Sequence, residues 1–516
     1  MLFSREHPSG DSMSTSYDVV AYPTVPRVLA HPGHLHAVAR MFGVAAPPVG
    51  SCRVLEIGCG EAMHLVACAV SMPDATFIGI DFSSEAVARG NRLIERVGLK
   101  NIHLEVADIA TWEPPSKPFD YVLAHGIYSW IPLPIRNAML ALIRLALSPH
   151  GVACVSYNTY PGSYTRQMLW EMMKYHIQGI DEPQQKIDQA KQLAEFVRIS
   201  RQLPEGAEPG LFDSDIATAL NSRREDVLYH DDLADVNDPV YFHQFVKHVA
   251  EHGLTFVAEA EPHSMGNGDL PPEAAKYLHT LAVHNPERRE QYYDFATVRR
   301  FRQSIITQDP HQQRGTPNAS AIRELYLTGN AGFDTVDLSP DTPMKFQTET
   351  SYVVYETVLA KAAMVVLVEC RPQRISFPEL LERTRQKLKR ESFTNDEVEE
   401  LLNELVVAWT TGLVLLKGHV PSYVTTISER PVSSPLVRVQ LANSGHATTL
   451  LHMRVQFDDP QSRLLVQLLD GTRTIDEIAA EVYASFPVDH RPSEADFRAG
   501  LQRNLSMLAL SGLLMA

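Results

Sequence analysis

Glu56, Gly58, Gly60, Asp81 and Asp108 are spaced as the residues of a nucleotide site are. The run VLEIGCGEAMHL, beginning at Val54, is an apolar strand-like stretch that ends in a glycine turn and opens into a helix-like one. Such a turn brings backbone close to a ligand and aims a helix N-terminus at it. A dinucleotide site wants a third glycine three residues after the second, so that helix and strand pack tightly. Met63 stands there, followed by His64, and Glu56 stands two residues before the first glycine. Asp81 closes FIGID, about 20 residues past the turn, where a carboxylate can take both ribose hydroxyls. Asp108, in VADIAT beside the apolar Ile109, suits the amino group and the ring face of adenine.

Strand-like runs RVLEIG, TFIGID, IHLEVAD, FDYVLAHG and GVACVSYN alternate with amphipathic stretches such as SSEAVARGNRLIERVG. This alternation predicts a parallel sheet covered by helices on both faces, with ligands at the carboxyl ends of its strands. From Gly162 the chain turns helical and polar, as an insertion or lid would. PVYFHQFVKHVAEHGLTFVAEAE, Pro239 to Glu261, then offers a helix, a glycine and a strand that return it to the sheet. PHSMGNGDLPPE reads as a loop, and from Ala274 to about Glu356 no fold is legible. Further on, DEVEELLNELVVAWTTGLVLL and ADFRAGLQRNLSMLALSGLLMA each give a long helix, a glycine and a short apolar strand. Leu405 and Gly412 fall in register with Leu505 and Gly512. With the helical starts ISFPELLERTR and GTRTIDEIAAEV upstream, they predict two winged-helix-like units.

A chain of 516 residues exceeds one hydrophobic core, and about two to four domains are expected. Its 44% hydrophobic and 21% charged content is that of a soluble globular protein. A net charge of -16 argues against a protein that coats nucleic acid, because that affinity comes from neutralising phosphates. The basic run RTRQKLKR is balanced by NDEVEE and reads as a solvated helix face, so the winged units are expected to make protein contacts or build a scaffold. Cys52, Cys59, Cys68, Cys154 and Cys370 are scattered without a C-x-x-C pair. They read as free thiols in a reducing compartment, with no zinc site. MLFSREHPSG lacks the pattern of a signal peptide, and no apolar run reaches about 18 residues. A cytoplasmic protein with no membrane partner is expected.

Glu56 ahead of a two-glycine turn, then Asp81, Asp108 with Ile109, and LSPHGVACVSYN resemble, in that order, the motifs of class I S-adenosylmethionine-dependent methyltransferases. SYDVVAYPTVPRVLAHPGHLHAVARMFGV, FDYVLAHGIYSWIP, VSYNTYPG and VLYHDDLADVNDPVYFHQFVKHVAEHGL resemble a narrower bacterial family. These are methyltransferases with a methyltransferase regulatory domain, which include the rickettsial outer-membrane-protein lysine methyltransferases. The resemblance is clear from about Tyr17 to Glu261 and looser beyond. It implies an α/β fold: a Rossmann-like class I methyltransferase core with a helical insertion, a mixed middle domain and C-terminal winged-helix-like units. The expected divisions are a core at 1–162, an insertion or lid at 163–238, a return to the sheet at 239–262 and a middle or regulatory region at 263–356. Winged-helix-like units follow at 357–420 and, after a linker, within 421–516. The resemblance also implies S-adenosyl-L-methionine as cofactor, S-adenosyl-L-homocysteine as product, no metal, an open cavity and methyl transfer to protein lysine, with homodimerisation left open. One departure is visible: the family turn continues with an acid and further glycines, where this chain has Glu61, Ala62 and Met63. Met63 and His64 are expected to narrow the pocket.

Methyl transfer from a sulfonium is an in-line displacement that needs orientation and a dry site, without a covalent intermediate. A lysine acceptor adds a proton problem: at pH 7.4 only about one molecule in a thousand is neutral, a cost of roughly 4 kcal/mol. Desolvation or a nearby base can offset it. On this reading Tyr22, Glu56, Gly58, Gly60, Asp81, Phe82, Asp108, Ile109 and His125 hold the cofactor. Tyr128, Trp130 and Tyr157 wall the acceptor, since aromatic faces attract the methylated cation. His125 and His230 are candidate proton acceptors, and Asn158 and Tyr160 candidate orienters of the amine. Plainer readings stand beside these: Trp130 as a loop anchor, His125 as a satisfied structural histidine, Tyr22 as ordinary packing. His31 and Asp231 carry no assignment.

The acceptor is then a protein or peptide lysine or, alternatively, a natural product or other small amine. A non-catalytic, cofactor-binding regulatory protein is the third reading. Adenine N6-methylation is disfavoured because YNTYPG lacks the Asp/Asn-Pro-Pro-aromatic signature. Glu56 and Met63 count against an NAD-dependent dehydrogenase.

Overall fold

The computed structural model describes Val20, Tyr22 and residues 25–201, 206–221, 225–265, 270–282, 285–309 and 315–515. Tyr17, where the family resemblance begins, the leader reading of the first ten residues and the glycines of the 262–273 loop lie outside the described residues. A seven-stranded sheet in the order β3-β2-β1-β4-β5-β7-β6 organises the core. Its parallel strands are β1 (Arg53–Ile57), β2 (Thr76–Asp81), β3 (Ile102–Val106), β4 (Phe119–Ala124) and β5 (Leu147–Asn158). β6 (Thr255–Glu259) and β7 (Phe301–Thr307) close the far edge, with β7 antiparallel to both β5 and β6.

Local signals account for the elements. Val54, Leu55 and Ile57 are fully buried on central β1, as an apolar run covered on both faces should be. Helices α1 (Pro32–Met41), α2 (Met63–Ser71), α3 (Ser84–Val97) and α4 (Leu133–Ala146) cover the sheet. α3 starts where Ser83 Oγ accepts from the Ala86 amide at 3.1 Å, and ends at Gly98 in the left-handed conformation, as capping chemistry requires.

The insertion consists of α5 (Ser163–His176), α6 (Pro183–Arg201) and α7 (Leu211–Asn221), packed on their own small core around Leu169, Met173 and Ile187. A π-helical turn, Leu228–Asp232, leads back toward α8 (Phe242–Glu251) and β6. The return to the sheet is longer than the 239–262 expected. After α9 (Pro272–Leu281) and α10 (Pro286–Thr297), strand β7 slots between β5 and β6, so the sheet runs on into the segment assigned to a middle region. Arg302 on β7 is fully buried, pairing with Glu259 of β6 at 2.7 Å and with Asp294 and Glu290 of α10 at 2.7 and 3.2 Å.

The first winged unit sets a three-stranded antiparallel sheet, β8 (Tyr326–Gly329) between β11 (Ile375–Ser376) and β12 (Val414–Lys417), against α11 (Val358–Glu369), α12 (Phe377–Leu388) and α13 (Asn395–Thr410). The hairpin β9 (Met344–Gln347) and β10 (Tyr352–Tyr355) precedes them. In the second unit, β13 (Val432–Ser433), α14 (Pro435–Leu441) and the hairpin β14 (His446–Thr448)–β15 (Arg454–Gln456) lead to α15 (Pro460–Leu468). α16 (Ile475–Ala484), α17 (Glu494–Leu510) and β16 (Leu514–Met515), which pairs with β13, complete it. Gly412 and Gly512 turn helix into strand at φ +74° and +70°, which is the matched register seen in the sequence. Among the described residues no helix is long and apolar enough to cross a membrane.

Candidate active site

The carboxyl ends of β1, β2, β4 and β5 open into a cavity of about 790 Å³, roofed by α5 and the π-helical turn. Its floor is the glycine turn. Gly58 has φ +66°, a left-handed conformation that favours glycine, and a Cβ there would stand 2.1 Å from Ile127 Cδ1 and push that side chain aside. Gly60 (φ +56°) donates its amide to Asp81 Oδ2 at 2.7 Å, and the Ser83 amide donates to Asp81 Oδ1 at 2.9 Å. These bonds aim the Asp81 carboxylate, an acceptor of the kind that ribose hydroxyls need. Asp108 is turned by the Ala110 amide at 2.9 Å and lines the cavity with Ile109 and the half-exposed Phe82.

Glu56 is buried, and its Oε2 has no hydrogen-bond partner among the described residues. Burial pushes its carboxyl up to about 8, against the pull of Arg27, with Asp81 adding to the rise. An acid kept at such cost at a strand end fits a ligand that brings a cation. Arg27, from the segment before α1, lines the same end and suits a carboxylate. Cradle, orphaned acid and aimed Asp81 together fit S-adenosylmethionine: amino-acid tail at Glu56 and Arg27, ribose at Asp81, adenine at Asp108 and Ile109.

The departure in the glycine turn has a structural reason. Met63 begins α2 and its sulfur receives Gln440 Nε2 of the second winged unit at 3.4 Å. His64 does line the cavity, while its Nδ1 accepts the Arg27 amide at 3.2 Å and burial lowers it to about 4. Where the third glycine would stand, this chain docks its C-terminal unit.

Trp130, Asn158, Tyr22 and His125 all line the cavity. His125 sits edge-on to Phe301 and has a buried Nδ1 without a partner among the described residues. Burial first, then Arg27 and His64, push its pKa well below the usual range, so the ring stays neutral and is a weak base. Four expectations need correction. Tyr128 and Tyr157 are 1% exposed and pack in the core behind the sheet. Tyr157 stacks on Phe245, and Tyr128 reaches His248 Nδ1 at 2.8 Å. Neighbours on a strand face opposite sides, so Asn158 in the cavity puts Tyr157 outside it. Tyr160 donates to Gln167 Oε1 at 2.7 Å and stacks on Tyr164, outside the cavity wall. His230 gives its Nε2 to the Val20 carbonyl at 2.7 Å and buttresses Tyr22 edge-on, so it is placed to hold the N-terminal segment and not to receive a proton.

Arg27, Arg166, Trp170, Asn237, Arg300 and Phe301 also line the cavity; among them only Arg27 and Asn237 fall within the stretches that carry the family resemblance. Trp170 and Arg166 come from α5, Asn237 from the loop after the π-helical turn, and Phe301 opens β7 beside Asn158. Arg166 pairs with Asp232 at 2.7 Å and Arg300 with Asp215.

Comparisons with known proteins agree with this geometry. A methyltransferase-domain family model matches residues 49–173, a predicted methyltransferase regulatory domain 224–308, and the C-terminal winged helix domain of PKMT 429–490. The regulatory match therefore covers β6 and β7, which complete the sheet. Two uncharacterized proteins of Rickettsia prowazekii (strain Madrid E) are similar. RP789 is 31% identical over 64% of this chain and 58% of its own length. RP028 is 30% identical over 45% of this chain and 92% of its own. Thus the chain spans little more than half of RP789. The solved structure of PKMT2 from Rickettsia typhi superposes with a TM-score of 0.82 at 23% identity, over 96% of this chain and 100% of that one. Its complex with AdoHcy gives 0.80 at 24%. At that identity the likeness establishes the fold.

Sheet order, glycine turn and acid spacing define a class I methyltransferase that uses S-adenosylmethionine. This chain belongs to one family with RP028 and carries both the methyltransferase domain and the predicted methyltransferase regulatory domain.

Proposed function

We propose that the chain transfers a methyl group to lysine side chains of a protein. The observation that carries this reading is the cavity lining, in which Trp130, Trp170 and Phe301 share the wall with Asn158 and Asn237. Aromatic walls suit an alkyl amine and its cationic product, and amides can orient an amine without holding it as an ammonium. The likeness to PKMT2 and the match to the PKMT winged-helix model support a protein acceptor. When bound, S-adenosylmethionine supplies an activated methyl group.

The protein's own residues have a limited task. The aromatic walls exclude water and strip the acceptor's solvation, which lowers an amine's pKa. Asn158 holds the nitrogen. His125, neutral and depressed, takes little share of the proton, which leaves for solvent before transfer. A small free amine is the competing acceptor.

The test is methyl transfer from tritiated S-adenosylmethionine to lysine-rich proteins and to free amines, with the labelled residue identified after hydrolysis. Label in protein methyllysine supports the proposal. Label only in small amines, or none in any amine, would reject it.

A further inference from the structure

Asn158 ends β5, and its Nδ2 donates to Asn237 Oδ1 at 3.1 Å. Asn237 Nδ2 donates in turn to the Asp231 backbone carbonyl at 3.3 Å. That carbonyl lies in the π-helical turn Leu228–Asp232, which Arg166 braces through Asp232. The Asn158 amide is itself fixed by donation to Ser129 Oγ at 2.9 Å.

The direction of this relay follows from chemistry. A backbone carbonyl only accepts, so Asn237 must present its NH₂ to Asp231 and its oxygen to Asn158. Asn158 must answer with its own NH₂, which leaves Asn158 Oδ1 as the free end of the side chain. Asn158, Asn237 and Asp231 all line the cavity. We propose that this relay fixes Asn158 Oδ1 as a hydrogen-bond acceptor for the group to be methylated, so that the site takes amines and rejects carboxylates. The proposal rests on the amine-methylating reading above.

An amine brings an N–H to that oxygen, and the bond turns the remaining lone pair to a set direction. A carboxylate brings only lone pairs, so two acceptors would face each other without a proton between them, a costly arrangement in a dewatered site. Specificity built on a hydrogen bond that the wrong substrate cannot make is the stronger kind. Asn237 touches no reacting atom and is a positioning residue. Its loss frees the Asn158 amide to turn its NH₂ toward the cavity.

The experiment uses the full chain saturated with S-adenosylhomocysteine and measures binding of n-butylamine and butyrate by calorimetric competition, with no turnover required. The wild type should prefer n-butylamine by about tenfold or more, the worth of one hydrogen bond made against one refused. Asn237→Ala should bring the two ligands to near parity with S-adenosylhomocysteine affinity unchanged. Asn237→Asp, which still accepts from Asn158 Nδ2 although its second oxygen then faces the Asp231 carbonyl, should keep the preference with a weaker overall affinity. Butyrate bound as well as n-butylamine, no binding of n-butylamine, or an undiminished preference in Asn237→Ala overturns the proposal. If the preference is present while no amine is methylated, the activity reading fails and the relay stands.

Discussion

In the cofactor site proposed here, Asp81 would take a hydrogen-bonding task and Glu56 an electrostatic one. Asp81 is already oriented by two amides, so its affinity contribution comes with little reorganisation. Asp81→Ala should weaken S-adenosylhomocysteine binding by about 1.5–3 kcal/mol for each charge-assisted bond lost. Calorimetry that finds unchanged affinity would remove the ribose assignment. Glu56 behaves differently because burial raises its pKa to about 8. In the free protein below that pH the carboxyl holds a proton, and pairing with the cofactor's ammonium favours the ionised form. Binding must then release a proton, so affinity should climb between pH 6 and about 8 and level off above. Titrations across that range should show the climb in the wild type and a flat line in Glu56→Gln. A flat wild-type profile would mean that the acid does not meet the ammonium.

Strand β7 shows what an element can hide. β1 to β5 and the α8–β6 return were legible because their apolar periodicity and flanking turns are strong. FRQSIIT carries an arginine and a glutamine where a buried strand should be apolar, and α9 and α10 separate it from β6. Only the fold supplies the acids that make Arg302 tolerable. Glu290 among them is raised to about 7 by burial, against the pull of Arg302. Because β7 was unread, so were Arg300 and Phe301; Arg166, Trp170 and Asn237 come from the insertion, whose placement is tertiary, and Arg27 from the segment before α1. The acids of the cofactor end were read from spacing alone. Strand alternation excludes Tyr157 from the cavity once Asn158 is placed inside. The buried cluster makes a prediction: Arg302→Leu takes the paired cation from Glu259 and Glu290 and leaves Asp294 with only Arg299 at 3.6 Å, and breaking such a group costs about 3–5 kcal/mol. Denaturant unfolding should show a loss of that size, whereas a loss under about 1 kcal/mol would mean that the acids simply take up protons.

At the scale of the whole molecule, the core and the C-terminal units meet through histidines. Lys417 Nζ lies 3.0 Å from His34 Nδ1, His419 Nε2 donates to the Ser71 carbonyl at 3.1 Å, and His452 Nε2 lies 3.2 Å from Ser71 Oγ. His31 packs edge-on to His452 with ring centroids 4.4 Å apart, and His64 stands beside them under the cofactor turn. His31, Cys68 and His452 bring one ligand atom each within 4.8 Å of the others. Yet the Gly33 amide already occupies His31 Nδ1, and Arg374 and Lys417 act on both rings, so the group favours neutral packed imidazoles over a cation. Burial first, and then those cations and neighbouring histidines, hold His31, His34 and His452 well below the usual range, and His64 near 4. Unfolded, the same rings titrate at about 6.5. Below that pH the unfolded chain binds more protons than the folded one, so stability is complete above about 6.5 and drains away as the pH falls toward 4. Each ring that stays neutral contributes a slope of roughly 1.4 kcal/mol per pH unit. His452 has φ +63°, a conformation asparagine tolerates, so His452→Asn removes one titration without new backbone strain. Denaturant midpoints from pH 8 to 5 should fall less steeply in that variant than in the wild type. Equal slopes would take His452 out of the account and leave the acid sensitivity to His31, His34, His64 or groups elsewhere.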